Sequence, residues 1–172
     1  MPWETIPSDS RTNVLETLPP YPIVLVTTRT NIITVNQINY FSFRPLRIGI
    51  GIAHVRYSYE LLKAEREFVV NIPDAALVDA VKFCGSHSGR DGNKFQAAGL
   101  EREPAEQIGA ACLPACRAQI ECRVEQEIPF EERTWFVGRV VAARKQPGHT
   151  GVEALMCGRH HYMVTGHIVA PR

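Results

Sequence analysis

The chain opens its patterned region with "YPIVLVTTRTNIITVNQ" (residues 21–37), two apolar runs broken at Thr28-Arg29-Thr30-Asn31, which predicts a hairpin. In "RIGIGIAH" Ile48, Ile50 and Ile52 alternate strictly with Gly49 and Gly51, a period of two that belongs to a strand. One face of that strand packs and the other is bare. Two readings of the bare face stay open: a sharply curved barrel wall, or a place where a flat ligand or another backbone comes close. "YSYELLKAERE" holds good helix formers, and "FVVNIP" after it is a β-branched run stopped by proline. Asp74 stands as N-cap for a helix over "AALVDAVKFC", with Gly85 just past its end. Residues 86–93 are rich in Ser, Gly, Asp and Asn and read as loop, and "KFQAAGL" adds a helical turn closed by Gly99.

In "AQIECRVEQEI" Ile120, Cys122 and Val124 alternate against Glu121, Arg123 and Glu125, the pattern of a half-buried strand with Cys122 in the core. "RTWFVGRVVAARK" is its partner, "QPGHTG" a turn, and "ALMCGRHHYMVTGHIV" carries strand-like patches broken at Gly158 and Gly166. Short strands at close spacing with two or three helices between them predict a mostly β protein with inserted helices, a small barrel rather than a parallel βαβ fold. The length of 172 residues fits one domain over 1–172, with residues 1–20 as a loosely packed arm ending at Pro19-Pro20.

Composition narrows the function classes. Hydrophobic residues at 45% and charged residues at 22% fit a globular protein, and a net charge of +1 gives no broad field for nucleic acid or anionic lipid. No apolar run reaches the roughly 18 residues of a membrane span, and "MPWETIPSDSRTN" lacks the regions of a signal peptide, so the expectation is a cytoplasmic protein. Five cysteines, Cys84, Cys112, Cys116, Cys122 and Cys157, are an odd number without a secretion signal, and reduced thiols are expected. The Cys112 to Cys116 spacing has no second pair to complete a zinc site.

The common nucleotide and nucleophile signatures are missing: no phosphate loop, no strand-loop-helix Gly-x-Gly-x-x-Gly, no Gly-x-Ser-x-Gly elbow. At Arg56-Tyr57-Ser58, where the Gly/Ile strand ends and a helix begins, a guanidinium, a hydroxyl and free helix N–H groups converge. That is the chemistry of a phosphate pocket, and equally that of a surface arginine beside a helix cap. Thr34-Val35-Asn36-Gln37-Ile38-Asn39 sets uncharged hydrogen-bonding side chains beside apolar strand residues, which suits a polar heterocycle or a self-satisfied barrel rim. "KFCGSHSGRDGNKF" (residues 82–95) holds Cys84 and His87 three apart, a metal pair with no second pair to match it. His160-His161-Tyr162, read as strand, can aim at most one histidine into any one site.

With these motifs in order, the chain resembles the flavin reductase-like family with the FMN-binding split β-barrel fold, the group that includes flavoredoxin. "YPIVLVTT" looks like its first core strand and "NIITVNQINYFSFRPLRIGIGI" like its flavin-lining segment, with a Ser-x-x-Pro step at Ser42 to Pro45. "RYSYELL...EFVVNIP" looks like the phosphate-side helix and the strand after it, and "CGSHSGRDGNKF" is similar to the family's Cys-Gly-x-x-Ser-Gly-Arg-Asp-x-x-Lys-Phe segment. The resemblance implies FMN, sometimes FAD, across a barrel edge at a homodimer interface, with electrons from NADH or NADPH or from a redox partner protein. Carried over by position, Thr34, Asn36, Gln37 and Asn39 border the isoalloxazine ring, and Arg56 and Ser58 bind the phosphate. Arg90 and Lys94 are the cations suited to an anionic cofactor or a nicotinamide phosphate. The short turn "RTN" departs from the family pattern and leaves Asn31 without an assigned contact. The implied activity is an NAD(P)H-dependent flavin or ferric reductase, the alternative a flavoredoxin-type electron carrier without its own nicotinamide site. No protein acid, base or metal is required, since the flavin itself accepts hydride.

Overall fold

The computed structural model describes residue 3, residues 5–151 and residues 153–166. Helix α1, Arg11–Glu16, lies in the segment read from sequence as a bare arm; it has no side-chain cap, which is why its pattern is weak. Strands β1 (Tyr21–Pro22), β2 (Val24–Thr27) and β3 (Ile32–Val35) follow, with the hairpin turn at Thr28–Asn31 as expected, closed by Thr28 N–H to the Asn31 carbonyl at 3.0 Å. A second hairpin, β4 (Ile38–Phe43) and β5 (Leu46–Ala53), leads into α2 (Tyr57–Glu65) and β6 (Glu67–Ile72).

Asp74 caps a 3-10 turn, Ala75–Leu77, by accepting from Ala76 N–H at 3.0 Å, and α3 follows over Val78–Ser86. Gly85 therefore lies inside α3 and not beyond it. A side chain there would press on Thr34, whose Cβ is 3.3 Å from the position a Cβ would take, so glycine serves the close packing of α3 on β3. The turn α4 (Lys94–Ala97) is closed by Gly99 at φ +65, as the sequence indicated. Then come β7 (Glu103–Pro104), β8 (Ala111–Cys112), β9 (Ala118–Pro129), β10 (Arg133–Lys145), β11 (Leu155–Cys157) and β12 (Tyr162–Val164). His160 and His161 stand in the turn between β11 and β12, not on a strand, because Gly158 ends the strand early. Residues 167–169 of that patch lie outside the described residues.

Among the described residues every strand pairing is antiparallel, in a seven-stranded sheet ordered β3-β2-β6-β9-β10-β5-β4, a three-stranded sheet β1-β11-β12 and the pair β7-β8. The large sheet curls until β3 stands against β5. There the strands do not join in a ladder, and the barrel stays split along the outer edge of β3; Gly51 N–H to the Gln37 carbonyl at 2.8 Å extends the β4–β5 pairing by one residue. Inside the curl, Val24, Val26, Ile33, Val35, Ile48, Ile50, Ile52, Phe68, Val70 and Phe136 form one core. Ile23, Leu25 and Ile32 face the other way and pack with Val81, Cys84, Phe95 and Leu113 under α3 and α4. β2 is thus buried on both faces, and this is why its sequence is a continuous apolar run with no alternation.

The bare face of β5 is covered by its own neighbours. A Cβ on Gly49 would come 2.3 Å from Phe41 Cε2, and one on Gly51 2.3 Å from Gln37 Oε1. The sequence allows a curved barrel wall or the approach of a flat ligand or another backbone; the structure instead fills this face with side chains from β4 and the turn before it.

Candidate functional site

Two helix ends meet at one rim of the split barrel. α2 begins after Arg56, whose backbone is extended and gives no side-chain cap, so the first N–H groups of the helix face outward. Opposite lies the last turn of α3, whose carbonyls carry the negative end of the helix dipole. Three consecutive carbonyls there each hold one nitrogen-bearing side chain. Phe83 O accepts from His87 Nδ1 at 3.2 Å, Cys84 O from Lys94 Nζ at 2.6 Å, and Gly85 O from Arg56 Nη1 at 3.4 Å.

Between the two ends is a cleft of about 60 Å³ lined by Asn31, Arg56, Ser58, Cys84, His87, Ser88, Gly89 and Lys94 among others. No carboxylate lines it. Lys94 is almost wholly buried, and burial pushes its pKa below the ordinary range; nearby Cys84 counters this in part and Arg56 adds to it. Burial lifts the Cys84 thiol to about 11, with Lys94 pulling the other way, so the thiol stays neutral at ordinary pH.

Asn31, left without an assigned contact by sequence, is buried in this cleft. Its Nδ2 donates to Ser58 Oγ at 2.9 Å, while its Oδ1 is buried with no partner. Turning the amide over lets Oδ1 accept from the Ser58 hydroxyl and points both Nδ2 donors into the cleft, an arrangement satisfied when an anion sits there. Gly89 keeps the space open, since a Cβ would stand 2.2 Å from Asn31 Oδ1. Phosphate fits this donor set: two cations, the Asn31 amide donors oriented by Ser58, helix N–H groups and no acid among the lining residues.

A second cavity of about 320 Å³ lies at the other end of β3, lined by Leu15, Leu18, Pro19, Tyr21, Asn36, Gln37, Cys157 and Arg159 among others. Gln37 Oε1 is buried without a partner. From Asn31 to Asn36 the chain is extended, about 16 Å at roughly 3.3 Å per residue, so β3 is a rail joining the two cavities.

Of the residues singled out in the sequence, Arg56, Ser58 and Lys94 come together in the cleft, and Asn36 and Gln37 in the second cavity. Thr34 is committed elsewhere: its hydroxyl donates to the Val81 carbonyl at 2.6 Å and pins α3 to β3. Asn39 is exposed, and its side chain accepts from Tyr40 N–H at 2.9 Å. Arg90 lies beside the cleft without lining it, donating to Glu60 at 2.6 Å and to the Val55 carbonyl at 3.5 Å and lying 5.1 Å over the Tyr57 ring. Ser88 and Gly89 read in sequence only as loop and His87 as loop and half of an unmatched metal pair, and it is α3 running on through Ser86 that brings them to the cleft.

The described residues contain no cluster of three His, Cys, Asp or Glu suited to a metal, and no helix among them is long and apolar enough to cross a membrane. Cys84, Cys112, Cys116 and Cys122 are buried and Cys157 half-buried, all as free thiols. Titration of the folded protein with a disulfide reagent at pH 8 is expected to modify Cys157 rapidly and the other four only after denaturant is added; fast reaction of two or more thiols would contradict this burial.

A split antiparallel barrel with a basic cleft at the end of its free edge strand defines the class of this protein. The flavin reductase like domain family matches residues 18–166, and the chain belongs to it. It is 33% identical over 132 residues to an uncharacterised protein of Archaeoglobus fulgidus, covering 75% of each. Among solved structures it is similar to the flavoredoxin of Desulfovibrio vulgaris (Miyazaki F), at 22% identity with a TM-score of 0.85, covering 98% of this chain and 97% of that one. It is also similar to an FMN-binding protein of Thermus thermophilus with bound p-hydroxybenzaldehyde, at 23% identity with a TM-score of 0.88, covering 98% and 100%. At such identities the two structures establish the shared fold.

Proposed function

We propose that the chain, working as one domain over residues 1–172, is an FMN-binding oxidoreductase that takes electrons from NADH or NADPH and delivers them to free flavin, a ferric complex or another small acceptor. The observation that carries this reading is the pair of cavities joined by β3. One is cationic and sized for a single phosphoryl group; the other is broader, partly apolar, and ends on an orphaned acceptor, Gln37 Oε1. A flavin ring has an imide N–H that matches such an acceptor, and the ribityl chain and the ring together would lie along the rail between them. Arg56, Lys94, Ser58 and Asn31 would hold the phosphate, and Asn36 and Gln37 the ring edge. When bound, FMN supplies the redox chemistry, as acceptor of a hydride from the nicotinamide. The residues of the chain bind, orient and shield the reacting face, and none has to transfer a proton.

We also propose that the working form is a homodimer. Tyr40, Phe41 and Phe43 of the edge strand β4 are exposed, with Ile128 and Phe130 also exposed at the end of the β9–β10 hairpin. Phe41 lies 5.6 Å from the Trp135 ring, so the patch runs across β4 and β10. An exposed aromatic edge of this kind is a pairing surface unless it is covered.

Anaerobic addition of NADH and then NADPH to the FMN-loaded protein is the test. Loss of the visible flavin absorbance with either one, followed by turnover when an acceptor is supplied, is the expected result. If neither bleaches the flavin while dithionite does, the reductase reading is removed and an electron carrier of the flavoredoxin type takes its place.

A further inference from the structure

The three side chains seated on the last carbonyls of α3 differ in what they have left to offer. Lys94 spends one of the three N–H donors of its ammonium on Cys84 O, and Arg56 one of five on Gly85 O; Arg56 keeps donors for the cleft at any pH, and Lys94 keeps two while it is protonated. His87 is different. A carbonyl can only accept, and the Ser86 hydroxyl spends its hydrogen on the Lys82 carbonyl at 2.9 Å, so the proton in the contacts of Nδ1 with Phe83 O and Ser86 Oγ is placed on Nδ1, and in the neutral ring Nε2 is then a bare lone pair. The ring is held in place by stacking on Phe83 at 4.1 Å and 17°, with Ser86 Oγ 3.0 Å from Nδ1. Nε2 has no partner among the described residues. A phosphate oxygen can only accept as well, so it is repelled by the neutral ring and bound by the protonated one.

We propose that His87 is a ligand-binding residue of this cleft that engages the phosphate only as the imidazolium, so that binding a terminal phosphate monoester takes up a proton. With Arg56 and Lys94 it makes three positive charges around one phosphoryl group, a complement for a dianionic monoester such as FMN in preference to the singly charged phosphates of the FAD diester.

The groups facing His87 are consistent with that role. On the cleft side they are Arg56, Lys94, the neutral Cys84 thiol and the Tyr57 ring; on the other side His87 shares a hollow with Asp91. Glu60 is turned to Arg90. This inference rests on the flavin reading above, and the test separates the two.

Calorimetric titration of the apo protein with FMN at pH 8, in two buffers of different ionisation enthalpy, counts the protons exchanged, because FMN is already the dianion there. Uptake approaching one proton per FMN is expected, with none for riboflavin, which lacks the phosphate. The FMN dissociation constant should rise about twentyfold between pH 7 and pH 8.5, the slope that uptake of nearly one proton requires. In His87→Gln, uptake should vanish and the dissociation constant should stay within about twofold over that range. His87 is exposed, and an unchanged melting temperature for the variant checks its fold. FMN that binds without proton uptake, or uptake that survives in His87→Gln, overturns the role of His87 and leaves the flavin reading standing. If neither FMN nor riboflavin binds, both fall.

Discussion

Lys94→Met is expected to lower FMN affinity by about 1.5–3 kcal/mol, roughly tenfold to more than a hundredfold, while riboflavin affinity changes little. The ammonium is almost wholly buried, hydrogen-bonded to the Cys84 carbonyl, and one side of the phosphate-sized cleft. Methionine keeps the length of the side chain and removes the charge. Burial penalises the protonated form of Lys94, so removing the charge relieves that cost while the Cys84 carbonyl loses its donor, and a cooperative melting transition checks that the variant is folded. Arg90→Ala is the matched control. Its guanidinium is paired with Glu60 outside the cleft, and FMN affinity should stay within about twofold. Equilibrium dialysis of both variants with FMN and riboflavin gives the answer; equal losses for the two ligands in Lys94→Met would move Lys94 away from the phosphate.

The second large effect is a loss of stability at alkaline pH. Burial lifts Cys84 to about 11 and both Cys116 and Cys122 to about 12, from an ordinary value of 9.0. Negative neighbours, Asp74 for Cys116 and Glu121 for Cys122, add to the burial. For an acid raised in the folded state, the unfolded chain loses its proton first. The stabilisation is therefore complete below pH 9 and is lost as the pH climbs through the folded values. One pH unit above the unfolded value, each thiol has forfeited about 1.4 kcal/mol, or about 4 kcal/mol for the three, a large part of the stability of a typical domain. Urea unfolding at pH 8, 9 and 10 should show that decline, and Cys122→Ala should flatten it by about a third. A free energy of unfolding level from pH 8 to pH 10 would refute the account.

Most of the β architecture could be read from local pattern, because alternation marks a strand that has one wet face. β9 and β10 are the long half-buried strands that the alternation of Ile120, Cys122 and Val124 and its partner run announced, and β5 is the Ile/Gly strand. α1 could not be read, having neither cap nor clean periodicity, and the pairing of Tyr21–Pro22 with β11 depends on residues more than a hundred positions away. The cleft was legible in part. Arg56 and Ser58 sit at a strand-to-helix junction, which sequence marks. Lys94 and His87 reach it through the angle at which α3 meets α4, and no local pattern encodes that. Thr34 shows the limit of reasoning by position: its polar side chain in the right segment is used to fasten a helix.

The way Phe41 and Gln37 lie over Gly49 and Gly51 also governs how the β4–β5 hairpin assembles. An edge strand bearing several exposed aromatics could in principle slide along its neighbour, since each shifted pairing would offer similar apolar contacts. Here the glycines are notches. Sliding β4 by one residue would set the Phe41 ring over an isoleucine of β5 and leave a notch empty, and sliding by two would carry the ring out of Gly49 and displace Gln37 from Gly51. The two missing side chains of β5 therefore act as a gauge, admitting one alignment of the edge strand and with it one placement of the orphaned Gln37 oxygen at the far end of the rail.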